Sequence, residues 1–115
     1  MKNGILMIVM LLGLFVSCSN TKGTEAKPVA YIQTNAQCGE CKERIEEALN
    51  YSKGVVYSNM DLETKIVEVK YNTNKTSLAE VKTIISNLGY DADDVTANKK
   101  AQAALPACCQ PGGHD

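Results

Sequence analysis

The stretch VAYIQTNAQCGECKERIEEALN, Val29 to Asn50, contains the change of period on which the fold turns. Val29 to Thr34 is short and rich in β-formers, which predicts a strand. Residues 35–37 form a loop that delivers Cys38. From about Gly39 the spacing becomes helical: Cys41, Ile45, Ala48 and Leu49 fall at i, i+4, i+7 and i+8. Glu40 and Arg44 stand in the favourable i,i+4 orientation, and Glu43, Glu46 and Glu47 belong to a solvated face. This helix should close between Asn50 and Lys53, ahead of Gly54.

Downstream, two strands read as a hairpin: Val55 to Leu62 and Lys65 to Tyr71, joined near Glu63 and Thr64. Val67, Val69 and Tyr71 alternate with Glu68 and Lys70, the pattern of a sheet with one buried face. The first strand is patterned less cleanly. After a polar loop over 72–76, Ser77 and Glu80 fit a capping box. Leu78, Val81, Ile84, Ile85 and Leu88 then make one apolar helical face that ends at Gly89. Tyr90 to Asp93 is expected to add a short edge strand. The order is strand, helix, strand, strand, helix, strand, which is an α+β, ferredoxin-like βαββαβ sandwich. Thr96 to Leu105 is rich in helix formers and stops at Pro106, so a short C-terminal helix should follow. The tail over 107–115 has no apolar period and is expected to be mobile.

With 115 residues there is room for one domain, and without Trp its core must be built from Val, Ile, Leu and Tyr. Twelve basic residues against thirteen acidic ones leave a formal charge of −1. With no basic run anywhere, nucleic acid is not an expected partner. The N-terminus looks like an export signal: Lys2, then an uncharged apolar stretch from Gly4 to Val16. At about 1.5 Å per residue that stretch is too short for a bilayer core of roughly 30 Å. Ser17-Cys18 at its end, followed by polar residues, resembles a bacterial lipoprotein signal. The implied division is a signal peptide over 1–17, a lipidated tether over 18–28 carried by Cys18, a folded domain over 29–94, and a C-terminal helix with its tail over 95–115. The alternative is an ordinary signal peptide with Cys18 near its cleavage site. The place expected for the protein is the bacterial envelope, anchored to a membrane and facing the periplasm or the exterior.

Five cysteines is an odd number for an exported chain. If Cys18 carries lipid, two close pairs remain, Cys38 with Cys41 and Cys108 with Cys109. Local pairs suit metal binding or redox exchange better than long-range cross-linking. Cys38 in a loop and Cys41 in the first helical turn can aim both sulfurs at one point, and the unpaired amides of the helix start favour thiolate. Thiolates select Cu(I) and zinc-like d10 ions over magnesium or calcium. Two sulfurs are too few for a closed zinc site, so an exchangeable, low-coordinate site is implied. A local disulfide or a coincidence are the alternatives. Cys108, Cys109 and His114 supply two more sulfurs and an imidazole beside a Pro111-Gly112-Gly113 hinge. This tail either completes the first site, forms a second one, or is a flexible end with incidental cysteines.

From Val29 to Asp93 the chain resembles the heavy-metal-associated domain of copper chaperones, metal-pumping P-type ATPases and the periplasmic mercuric-ion binding protein. The resemblance rests on the CxxC after strand one, Gly54-Val55, Asp61-Leu62, and Leu88-Gly89-Tyr90-Asp91. It implies that Cys38 and Cys41 are metal ligands and that Tyr90 shields their site. The family motif Gly-Met-x-Cys is replaced here by Asn35-Ala36-Gln37-Cys38, and loss of the buried Met anchor implies a looser loop. The expected function is non-enzymatic capture and transfer of a thiophilic ion, Cu(I) first, with Hg(II), Zn(II), Ag(I) or Cd(II) as further cargoes. A metal transporter or efflux pump is the expected partner. Thiol–disulfide exchange through the same CxxC is the alternative, and a plain interaction module the third reading. Against redox exchange stand the absence of Trp and of a late proline inside the domain.

Overall fold

The computed structural model describes residues 27–111. Its elements are β1 (Val29–Gln33), α1 (Gly39–Asn50), β2 (Val55–Met60), β3 (Ile66–Tyr71), α2 (Leu78–Asn87) and α3 (Lys99–Ala103), then a 3-10 turn over Ala107–Cys109. The strands form one antiparallel sheet in the order β1-β3-β2. Ile32 pairs with Val67, and Met60 pairs with the same residue from the other side. Because side chains alternate along β3, Val67, Val69 and Tyr71 all point to one face. That face is covered by the helices, which bring Ile45 and Leu49 from α1 and Val81 and Ile85 from α2 into a common core. On the opposite face Tyr31 is exposed and donates to Glu68 Oε1 at 3.2 Å. No helix among the described residues is long and apolar enough to cross a membrane.

The untidy pattern of β2 has a physical cause. Val55 pairs with Tyr71 and Tyr57 with the adjacent Lys70, so Val56 is an extra residue, a β-bulge. The bulge flips the alternation and leaves Val56 exposed while Met60 is buried. β2 also ends at Met60 rather than Leu62. Asp61 Oδ1 accepts the Glu63 amide at 2.8 Å, and Lys65 takes a positive φ of 62° to return its N–H to Asp61 O at 2.7 Å. This side chain-to-backbone turn competes with the ladder and leaves Leu62 exposed.

Ser77 Oγ caps α2 by accepting the Glu80 amide at 3.2 Å. The reciprocal arm of the box differs from expectation: Glu80 Oε2 accepts from the Thr76 hydroxyl at 2.8 Å. Replacing Ser77 with Ala should lower stability by about 1 kcal/mol. A urea unfolding curve would check this, with the midpoint moving down at constant slope. At the other end Gly89 N donates to Ser86 O at 3.0 Å and Tyr90 N to Ile85 O at 3.3 Å. These two bonds form a Schellman motif, with Gly89 at φ 105°.

Two expectations after α2 are corrected. The fourth strand does not form: the segment has a single Ala92–Val95 bridge and curls through Asp93 at φ 52°. It still lies against β1, where Asp93 N donates to Gln33 O at 2.9 Å and Asp93 Oδ1 accepts Gln33 N at 2.8 Å. A carboxylate thus takes the amide that a fourth strand would have paired. The carboxylates of this loop are all engaged: Asp91 Oδ1 accepts Ala97 N, and Asp93 and Asp94 share Lys82. The C-terminal helix begins at Lys99, because Asn98 turns its side chain onto the Ala101 amide and caps it there.

Candidate metal centre

The Cys38 loop is not loose. Ala36, where the family carries Met, is fully buried, and its amide donates to Thr34 Oγ1 at 3.2 Å. Thr34 Oγ1 in turn donates to Lys65 O at 2.8 Å, and Asn35 Oδ1 accepts the Asp91 amide at 2.9 Å. Hydrogen bonds of Thr34 and Asn35 with distant backbone replace the missing hydrophobic anchor.

This loop places Cys38 at the N-cap of α1. The Cys41 amide facing its sulfur holds the Cys38 thiol below its ordinary range, helped by the Cys41 side chain and the Glu40 amide. Cys41 Sγ lies 3.6 Å away and is fully buried. The pair is therefore asymmetric: an acidic, partly exposed thiol in front and a buried one behind.

The tail does not move freely as far as residue 111. The Ser86 hydroxyl donates to Thr96 O at 2.8 Å and Asn98 N donates to Ser86 O at 3.0 Å, which pins the start of α3 against the end of α2. Leu105 enters the core after it. Gln110 Nε2 donates to Leu105 O at 2.8 Å, which folds the 3-10 turn back on itself. As a result Cys109 is buried at 1% exposure. Its sulfur lies 4.0 Å from Cys38 Sγ and 3.8 Å from Cys108 Sγ. Cys108 Sγ donates to Glu40 Oε2 at 3.2 Å. Glu40 is accordingly turned to the arm, and the ion pair of α1 is Lys42–Glu46 at 2.9 Å rather than Glu40–Arg44. All four cysteines among the described residues are free thiols.

Burial pushes the Cys109 thiol up to about 12, with the neighbouring Cys41 sulfur adding to the effect. The Glu40 carboxylate beside Cys108 raises that thiol too. A thiol with a lower pKa has the larger thiolate fraction at any pH below it, and the thiolate is the reactive form. Limiting iodoacetamide at pH 7 should therefore label Cys38 before Cys108 or Cys109, and raising the pH should narrow the gap to Cys108. Peptide mass mapping would check the order.

Tyr90 lies beneath the thiols at 1% exposure, and its hydroxyl has no oxygen or nitrogen partner among the described residues. The polar groups facing it are the Cys41 and Cys109 sulfurs, and burial raises its pKa well above the ordinary tyrosine value. Cys38, Cys108 and Cys109 form a cluster whose sulfurs all lie within 4.8 Å of one another. Sequence reasoning placed Cys108 and Cys109 as candidates but missed Glu40 as the residue that receives the arm. His114 and Cys18 lie outside the described residues, as does the whole leader.

The heavy-metal-associated domain family matches residues 34–91. A copper chaperone, CopZ, of Staphylococcus aureus is 39% identical over 54 residues, covering 47% of this chain and 79% of that one. Among solved structures, a CopZ metallochaperone is 32% identical with a TM-score of 0.55, covering 56% of this chain and 98% of its own. The N-terminal domain of a potential copper-translocating P-type ATPase from Bacillus subtilis, in its Cu(I)-loaded state, is 28% identical with a TM-score of 0.56, covering 59% of this chain and 86% of that one. The family match stops at Asp91, so α3 and the Cys108–Cys109 turn lie beyond it.

Proposed function

Because the chain belongs to the heavy-metal-associated domain family, we propose that it captures a thiophilic metal ion, Cu(I) foremost, through Cys38 and Cys41 and passes it on by ligand exchange. The observation that carries this reading is the asymmetric thiol pair at the start of α1, 3.6 Å apart, with the Cys38 thiol held acidic by backbone amides. The Cys38 thiol is held below its ordinary range and sits half-exposed, so it makes the first bond to an arriving ion. The buried Cys41 closes the pair from behind. Delivery reverses the order: a partner's thiolate enters as Cys38 leaves, and Cys41 lets go last. The protein's residues bind, orient and release the ion without changing it chemically, so the role is non-enzymatic. Relatives described as copper chaperones and as a copper-translocating P-type ATPase domain support copper as cargo and a metal pump as partner. Hg(II), Zn(II), Ag(I) and Cd(II) are further cargoes compatible with thiolate ligands.

We place the protein at the bacterial envelope, held to a membrane by lipid on Cys18, on the strength of the leader's sequence alone. A Cys18→Ser chain recovered in the soluble fraction would fit that placement, and one still in the membrane fraction would count against it.

Thiol–disulfide exchange has one observation in its favour, the acidic Cys38 in front of a buried Cys41. A single comparison separates the two readings. The reduced protein is titrated with Cu(I) against a competing chelator, and in parallel assayed for insulin reduction. One tightly held Cu(I) per chain with no reductase activity supports metal transfer, and the opposite pair of results supports redox exchange.

A further inference from the structure

The distances between the four sulfurs carry information about how many of them an ion would meet. At a metal–sulfur distance of about 2.3 Å, the sulfurs of a tetrahedral sphere lie about 3.8 Å apart, those of a trigonal one about 4.0 Å, and those of a linear pair about 4.6 Å. Cys38 and Cys41 are separated by 3.6 Å, Cys108 and Cys109 by 3.8 Å, and Cys38 and Cys109 by 4.0 Å. These three separations match the edge of a trigonal or tetrahedral sphere and fall well short of a linear pair. Cys38, Cys108 and Cys109 already lie within 4.8 Å of one another, and Cys41, outside that set, must shift to join them as a fourth ligand.

The arm that brings the second pair is built rather than incidental. Ser86, Asp91 and Asn98 hold its base, Leu105 anchors it in the core, and Gln110 closes its end. The result is a Cys109 buried as part of the core cluster, although the family match already ends at Asp91.

We propose that Cys108 and Cys109 supply the further thiolates of a sulfur-only centre begun by Cys38 and Cys41, and that this centre takes a divalent d10 ion such as Zn(II), Cd(II) or Hg(II). The inference rests on the reading of Cys38 and Cys41 as metal ligands. Each thiol loses a proton as it bonds the ion. For Cys108 the first acceptor is the Glu40 carboxylate, already 3.2 Å away, which hands the proton to solvent. Two ligands suffice for a monovalent soft ion, so the arm matters most to ions that require three or four. The tail thereby widens the cargo from Cu(I) to divalent soft metals.

Cd(II) is the probe. One equivalent is added to the reduced full chain, and X-ray absorption counts the sulfurs around it. Three or four sulfurs at one Cd(II) per monomer are expected. The Cys108→Ser, Cys109→Ala chain should fall to two sulfurs, lose roughly 100-fold or more in Cd(II) affinity, and lose less than about tenfold for Cu(I). Cd(II) should also protect Cys108 of the unmutated chain from iodoacetamide, a readout that no folding defect can imitate. Two sulfurs in the unmutated chain, an ion shared between two chains, an unprotected Cys108, or an arm variant with unchanged Cd(II) affinity would each overturn the proposal. An unmutated chain that binds Cu(I) tightly but Cd(II) through only two sulfurs overturns this inference alone. A chain that binds neither ion overturns the proposed function with it.

Discussion

A chain carrying Cys38→Ser with Cys41→Ala should lose its high-affinity Cu(I) site while keeping its fold. Closed thiolate sites in small domains bind zinc with about 10–16 kcal/mol, or about 3 kcal/mol for each of four ligands. That corresponds to roughly a hundredfold in affinity per thiolate, so removing both should weaken binding by about four orders of magnitude. Ala is chosen at position 41 because the side chain there is fully buried, and a serine hydroxyl would have to find a partner. Cys38 is half-exposed at the helix start, where Ser is a preferred capping residue, so that change should not weaken α1. Competition with a Cu(I) chelator measures the affinity, and circular dichroism confirms the fold. Retention of even a tenth of the original affinity would mean that the ion is held elsewhere.

The second large effect concerns Gly89. It sits at φ 105°, a conformation that L side chains rarely adopt, and a Cβ built on it would lie 2.8 Å from the backbone of Gln102. Gly89→Ala therefore meets two costs: about 1–2 kcal/mol for the left-handed backbone and about 1–3 kcal/mol for crowding α3. Backbone cannot yield as a flexible side-chain tip does, so α3 must move away. Its displacement should release the Cys108–Cys109 arm that follows it. The expected outcome is a loss of about 2–5 kcal/mol in unfolding free energy together with faster alkylation of Cys109. Lower stability with Cys109 still unreactive would show that the arm docks independently of α3.

Much of the domain was legible because its signals are local. The i, i+4, i+8 series of Cys41, Ile45 and Leu49 marks α1, and all three are buried. The alternation of Val67, Val69 and Tyr71 marks β3, and Gly89 marks the end of α2. The missed features arise where a side chain outcompetes the regular backbone pattern. Asp61 shortens β2, Asp93 replaces a fourth strand at the edge of β1, and Thr34 with Asn35 stiffens a loop that lacks its hydrophobic anchor. In each case the competitor is a short polar side chain whose hydrogen-bond partner depends on where distant backbone arrives. Sequence spacing does not encode that arrival.

The same division holds for the thiols. The sequence by itself determined a soft-ligand pair at a helix start, since three residues of spacing and the helix amides suffice to bring Cys38 and Cys41 together and to acidify the first. Only the tertiary structure decided that the second pair joins them. Cys38 and Cys109 are 71 positions apart, and their 4.0 Å separation depends on α3 packing against Gly89, on Leu105 entering the core, and on Asp91, Ser86 and Asn98 fixing the path between. A local pattern places neighbours along an element. Bringing its two ends to one point takes the packing of the whole domain.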